Sequence, residues 1–218
     1  MDTIENVSAE FSHDSLSRAQ ARTWTVLHEL SQRISAGMTE ADAHSVAKTL
    51  FKDFEVEKVW HPSKIRFAEN TLKTFRETSD PDVKIKDGDP FFLDLGLVFY
   101  NHEGDCGQTF ILGKNAEAEK IIQAGRDVFS EVRMHWGQKS ISGSALYQFA
   151  GESAKMHGYE LNLQGASGHR IGDFPHAIHH KGALKALDRK PIADRWILEI
   201  QLKHPSLPMG AFYEDLLR

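Results

Sequence analysis

The sequence predicts an α+β fold built as two helix-helix-strand halves with pseudo-two-fold symmetry, the helices packed outside a mainly antiparallel sheet. Two observations carry that expectation. The 218 residues are 40% hydrophobic and 26% charged, enough apolar side chain to bury one core. Apolar spacing also changes from helical to strand-like twice, the second time roughly a hundred residues after the first. No Pro/Gly/Ser-rich linker, charged tail or low-complexity tract interrupts the chain, so residues 1–218 read as one domain. The functional site is expected where the halves meet.

Residues 14–36 read as a helix, with Leu27, Leu30 and Ile34 at i, i+3 and i+7, Trp24 one turn earlier and a stop at Gly37. Thr39 caps a second helix, whose first turn holds Glu40 and Asp42 and whose buried face is Val46, Ala47 and Leu50. Past residue 54 the pattern is strand-like at Val56, Val59, Ile65 and Phe67, and a strand pair is expected over 91–100 and 107–112 around a polar turn at 101–104. In the second half a helix over 116–136 aligns Ile122, Phe129, Val132 and Trp136 on one face. Ser142 caps a following helix with Leu146, Phe149 and Ala150 inside. Strands are then expected over 161–163, 196–202 and 211–217.

Composition narrows the function. The one cysteine, Cys106, excludes an intramolecular disulfide and fits a reducing compartment. The apolar runs are too short to span a bilayer, and the first residues lack the basic-then-apolar order of a signal peptide, so the expected location is cytoplasmic, away from membranes. A net charge of −5 with both signs mixed along the chain offers no basic stripe, which argues against a nucleic-acid partner. Twelve histidines against one cysteine favour imidazole and carboxylate chemistry over thiolate chemistry.

That chemistry shows first as misplaced acids. Asp94 lies inside Phe-Phe-Leu-Asp-Leu-Gly-Leu-Val-Phe and Glu199 inside Trp-Ile-Leu-Glu-Ile-Gln-Leu, where an ionised carboxylate is costly unless a cation or several donors meet it. For either acid alone, a buried Arg or Lys or an outward-turned pleat serves as well as a metal. The neighbours change the balance. Asp105 follows Asp94 by eleven positions across the expected hairpin, and Glu214 sits in a last strand antiparallel to that of Glu199. If the halves pack face to face, four carboxylates converge, and divalent cations become the economical counter-charge, two of them if carboxylates bridge. His169, flanked by Gly168 and Gly172 in a run beginning at Gly165, supplies an imidazole, and His176 follows seven positions later. His135, His157, His179, His180 and His204 read as solvated or hydrogen-bonded side chains, and Cys106 as a packed strand residue facing away from Asp105.

Asp94-x-Gly96, Gly104-Asp105-x-x-x-Thr109-Phe110, Gly168-His169-x-Ile171-Gly172-x-x-x-His176, Glu199 and Glu214-Asp215 together resemble, in order and approximate spacing, the M24 metallopeptidase family. The likeness begins at the first helix and takes in the break Ala36 to Glu40 and the segment Ser63 to Thr71. It implies the pita-bread fold and a dinuclear centre whose metal ligands are Asp94, Asp105, His169, Glu199 and Glu214. Asp94 would hold one ion, His169 and Glu199 the other, with Asp105 and Glu214 bridging. Glu199 would also take a proton from an activated water, and His176 would donate to the substrate carbonyl or tetrahedral intermediate. The two divalent ions could be manganese, iron, cobalt or zinc.

The sequence also departs from the family. Phe75 stands where its peptidases carry a histidine that contacts the scissile amide, Gly107 and Gln108 replace a threonine and an arginine, and Arg170, Ala177 and Ile200 replace a glycine, a glutamate and a proline. Every expected ligand is kept while much around it is changed. The resemblance implies a metal-dependent hydrolase acting on the N-terminus of a short peptide or an amino-acid derivative. The alternative is a non-peptidase on the same fold, a creatinase-like C–N hydrolase or a lyase, and a third reading is a binding protein without catalysis. Trp60-His61-Pro62 either lines the substrate pocket or is a buried aromatic beside a turn, and Arg170 pairs either with a substrate carboxylate or with an acid of the chain. The chain resembles the catalytic domain alone, with fifteen positions between Glu199 and Glu214, and a homodimer is compatible with it.

Overall fold

The computed structural model describes residues 4–164 and 166–218, so Gly165 of the His169 motif and the first three residues lie outside the described part. In chain order the elements are α1 (His13–Gln32), α2 (Glu40–Asp53), β1 (Lys58–Val59), β2 (Lys64–Phe67), β3 (Pro90–Phe99), β4 (His102–Ile111), α3 (Ala116–Gln138), α4 (Gly143–Met156), β5 (Glu160–Leu161), β6 (His169–Arg170), β7 (Trp196–Lys203) and β8 (Gly210–Leu216). All eight strands join one antiparallel sheet ordered β1-β3-β4-β8-β7-β5, with β2 also on β3 and β6 also on β7. The halves meet at β4 and β8, which pair only at Gly107↔Glu214 and Gln108↔Tyr213.

Local chemistry sets the boundaries. Thr39 forms a capping box with Asp42, and Ser12, Asn115 and Ser142 cap the other three helices through their side chains. The first helix ends at Gln32 rather than at 36, and the strand expected over 161–163 is the two-residue β5. A larger correction concerns the central hairpin. Its turn is Tyr100-Asn101, both at positive φ, and the second strand starts at His102 rather than at 107. Two consecutive left-handed residues give the turn whose twist matches a tight hairpin. Gly104 looked like a turn glycine, but it is a packing glycine inside β4. A Cβ there would lie 2.1 Å from Thr23 Oγ1 and 2.6 Å from the Ala19 carbonyl of α1.

Strand alternation then divides the sheet into two faces. Phe91, Leu93, Leu95, Leu97 and Cys106 pack with Leu27, Leu30, Ala47 and Leu50 of α1 and α2. On the other half, Trp196, Leu198, Ile200 and Leu202 pack with Val128, Phe129, Val132, Leu146 and Ala150 of α3 and α4. Of the expected helix faces, Val46, Ile122 and Phe149 are only half-buried, and Ala43 and Ile121 take fully buried places. The helices cover one face of the sheet, which leaves the alternate residues, among them Asp94, Asp105, Glu199 and Glu214, on the other. No helix among the described residues is long and apolar enough to cross a membrane.

Candidate metal centre

The register brings the acids together. Asp94 pairs with Gly107, Gly107 with Glu214, and Glu214 with Glu199, a single row across β3, β4, β8 and β7. Residues opposite one another on neighbouring strands point to the same face, and Asp105 joins them from two positions before Gly107. Gly107 adds no side chain to the row, and the Phe212 ring lies against its Cα. His169 enters from β6, opposite Ile197 and beside Glu199, and its Nε2 lies 3.0 Å from Asp105 Oδ2. All five residues expected as ligands thus converge on the uncovered face.

The acids are deeply buried yet poorly provided with donors. Asp105 is 0% and Glu214 1% exposed, and among the described residues Asp94 Oδ1, Asp105 Oδ2 and Glu214 Oε1 lack a well-formed hydrogen bond, although the His169 and His61 imidazoles lie 3.0 Å from Asp105 Oδ2 and 3.5 Å from Asp94 Oδ1. Unpaired buried carboxylate oxygens are costly and mark where a cation belongs. Burial accordingly pushes Glu214 well above the usual carboxylate range, raises Glu199, and raises Asp94 to about 7. Burial acts the same way on Asp105, but His61 and His169 outweigh it and hold that carboxyl below its ordinary value. Burial disfavours the charged form of both imidazoles, yet the facing acids raise His61 to about 9 and His169 to about 10. Among the described residues two groups could hold a metal ion: His61, Asp94 and Asp105, and Asp105, His169 and Glu214. Carboxylate oxygens and imidazole nitrogens are the donor set of manganese, iron, cobalt and zinc sites, so the residues fit such an ion.

Supporting contacts fix the ligands. Gln20 of α1 donates to the Asp105 carbonyl at 2.6 Å and accepts the Asp105 N–H at 2.8 Å. Glu199 Oε2 accepts the N–H groups of Ser167 at 2.9 Å and Gly168 at 2.5 Å, while Tyr147 Oη bridges the Glu199 N–H and carbonyl. Gly168 needs to be glycine: its φ is +68°, and a Cβ would lie 2.6 Å from the Ile197 carbonyl. His176 stands behind His169, ring centroids 6.2 Å apart, with Nδ1 2.5 Å from Glu103 Oε2. Trp60 packs edge-on against both rings.

Sequence reasoning missed two residues here, Gln20 and Glu103, and did not place His61 against the acids. Among the open alternatives, Trp60 and His61 do line the cleft beside the acids, a space of about 530 Å³ whose wall also includes Phe75, Arg76 and Lys181. Arg170 forms no ion pair with an acid among the described residues. Its guanidinium is fully buried and donates to four backbone carbonyls, those of Ile4, Asn6, Ile171 and Arg195, so it faces no substrate. Cys106 is packed in the core, His135 stacks on Phe149, and His157 bonds Glu131.

Comparison with solved structures gives the same architecture. Prolidase from Pyrococcus furiosus superposes with a TM-score of 0.77 at 18% identity over 98% of this chain and 62% of that one. X-Pro aminopeptidase from Thermotoga maritima gives 0.74 at 18% identity over 94% and 60%. The chain therefore spans about three-fifths of the length of these two, whereas it covers 99% of methionine aminopeptidase from Thermotoga maritima, with a TM-score of 0.73 and 15% identity over all of this chain. No curated protein matches the sequence. The family model of metallopeptidase family M24 matches residues 14–205. With the pita-bread architecture and a cluster of acids and imidazoles fit for metal, the chain belongs to metallopeptidase family M24, a family of metal-dependent hydrolases.

Proposed function

We propose that this chain is a dinuclear metallohydrolase of aminopeptidase type, cleaving an N-terminal peptide or amide bond of a short peptide or amino-acid derivative. The observation that carries the reading is the row Asp94, Gly107, Glu214, Glu199 with Asp105 beside it, its buried oxygens short of donors. Asp94 would hold one ion and His169 and Glu199 the other, with Asp105 and Glu214 between them. When bound, the ions supply an activated water at neutral pH and a positive field for the oxyanion formed on attack. Glu199 holds the proton taken from that water, its Oε2 already fixed by the Ser167 and Gly168 N–H groups. With Nδ1 committed to Glu103, His176 has Nε2 left for the substrate carbonyl. The cleft between Trp60 and Phe75 is sized for a small ligand, and Arg76 and Lys181 offer positive charge at its wall.

One observation favours a second reading, a C–N hydrolase or lyase acting on a small non-peptide. Phe75 occupies the place of the expected histidine donor, with the Lys64 ammonium 4.2 Å from its ring centroid, so that wall offers an apolar ring to a scissile amide. Assaying dipeptides beside amidines and amino-acid derivatives separates the two. For either reading, chelation abolishes turnover, added divalent ion restores it, and Asp105→Ala or Glu214→Ala lowers it by more than about a hundredfold. Full activity of the metal-free protein would sink both.

A further inference from the structure

We propose that His61 is a sixth metal ligand, binding through Nε2 an ion on the Asp94 side of Asp105. The inference rests on the dinuclear reading. Its ground is a likeness between two imidazoles at opposite ends of one carboxylate. His169 sets Nδ1 2.8 Å from the carbonyl of the next residue, Arg170, and Nε2 3.0 Å from Asp105 Oδ2. His61 sets Nδ1 3.2 Å from the carbonyl of the next residue, Pro62, and Nε2 3.1 Å from Asp105 Oδ1 and 3.5 Å from Asp94 Oδ1. An Nδ1–H given to a backbone carbonyl leaves the Nε2 lone pair free, the usual support of a metal-binding histidine. Donors about 2.0–2.2 Å from a shared ion lie roughly 3.0–3.6 Å from each other, which is the spacing found here.

The fold has also made room for this ring. Val59 of β1 pairs with Leu97, the Trp60 N–H donates to the Gly96 carbonyl at 3.1 Å, and Trp60 Nε1 donates to the Gly104 carbonyl at 3.2 Å. These bonds deliver His61 onto Gly96, where any Cβ would lie 2.0 Å from its Cδ2 and 2.2 Å from its Nε2. Asp94 Oδ1, one of the buried oxygens that lack a well-formed hydrogen bond, is among the atoms the ring approaches.

The test is a cobalt(II) titration followed by proton NMR of the loaded protein. Two solvent-exchangeable, paramagnetically shifted imidazole N–H signals are expected, one lost in His61→Ala and the other in His169→Ala. His61→Ala should bind one of its two cobalt ions at least about tenfold more weakly than wild type. Gly96→Ala, which pushes the ring away without removing it, should lose the same signal as His61→Ala. Two bound ions with one shifted imidazole in wild type, and unchanged affinities in His61→Ala, overturn the role of His61 while the dinuclear reading stands. One bound ion with two shifted imidazoles supports the role of His61 and overturns the dinuclear reading.

Discussion

Gly107 lies between Asp94 and Glu214, and its missing side chain is what admits the Phe212 ring. A Cβ there would sit 2.4 Å from Phe212 Cε1 and 3.0 Å from Glu214 Cγ, and that ring in turn packs at a tilt against Phe92, centroids 5.1 Å apart. In this chain β8 thus supplies an aromatic volume at the place where β4 carries no side chain. Gly107→Thr should therefore destabilise the fold by about 1–3 kcal/mol in urea unfolding, as over-packing does, and adding Phe212→Ala should recover part of that loss. Strictly additive losses would show that the two side chains do not compete. At this scale the sequence displayed the acids clearly, since Asp94 and Glu199 interrupt apolar runs, and it was their convergence with Asp105 and Glu214, rather than either acid alone, that favoured a metal over an outward-turned pleat. His61 carried no such signal, because a histidine beside a proline looks the same in a turn as in a metal centre. Gln20 sits in an ordinary helical stripe, and its bonds to Asp105 arise only from tertiary packing.

Among the elements, β6 is only two residues long yet carries His169, so something other than strand pairing must hold it. Arg170 does so from the opposite face. Of its four bonds, those to the Ile4 and Asn6 carbonyls tie β6 to residues 4–6 and those to Ile171 and Arg195 brace it locally, and Glu5 in turn accepts from Trp196 Nε1 at 2.6 Å and from the Ile192 N–H at 2.8 Å. A planar five-donor guanidinium can bind several carbonyls at once, and a lysine cannot reproduce that fork. Arg170→Lys should speed amide exchange in residues 4–8 and 169–171 and weaken metal binding about tenfold or more, the usual cost of loosening a ligand's support. Unchanged exchange in both segments would show that the tie carries nothing. The element boundaries that sequence reasoning placed well are those with local chemistry, Thr39 and Ser142 among them. Those it misplaced, the hairpin turn above all, depended on α1 lying against Gly104, a contact eighty-one positions away at Thr23.

For the whole molecule, the two-half plan was legible because each half repeats the same order of helices and strands, and the two cores remain separate, one under α1 and α2 and one under α3 and α4. The seam between them has β4 and β8 paired at two positions, Leu16 of α1 packed on Ile197 and Leu216, and Phe92 packed on Phe212, and the acids sit on it. Bound ions would therefore bridge the halves and should stabilise the protein by about 2.7 kcal/mol for each site held at a hundred times its Kd. For a chain of this length that is a rise in Tm on the order of 5–10 °C for each site. Chelation should remove the rise. Glu214→Gln makes the sharper test, because it separates stability from metal binding. The glutamate is buried, sits directly opposite Glu199 and leaves Oε1 without a donor, so in metal-free protein it is a liability that an amide of the same shape relieves. In chelator the variant should melt at or above the wild-type temperature, and added metal should raise its Tm far less than it raises that of the wild type. A variant that is less stable than wild type in chelator would mean that Glu214 is held by partners within the protein, and that its burial on the seam reflects structure rather than metal.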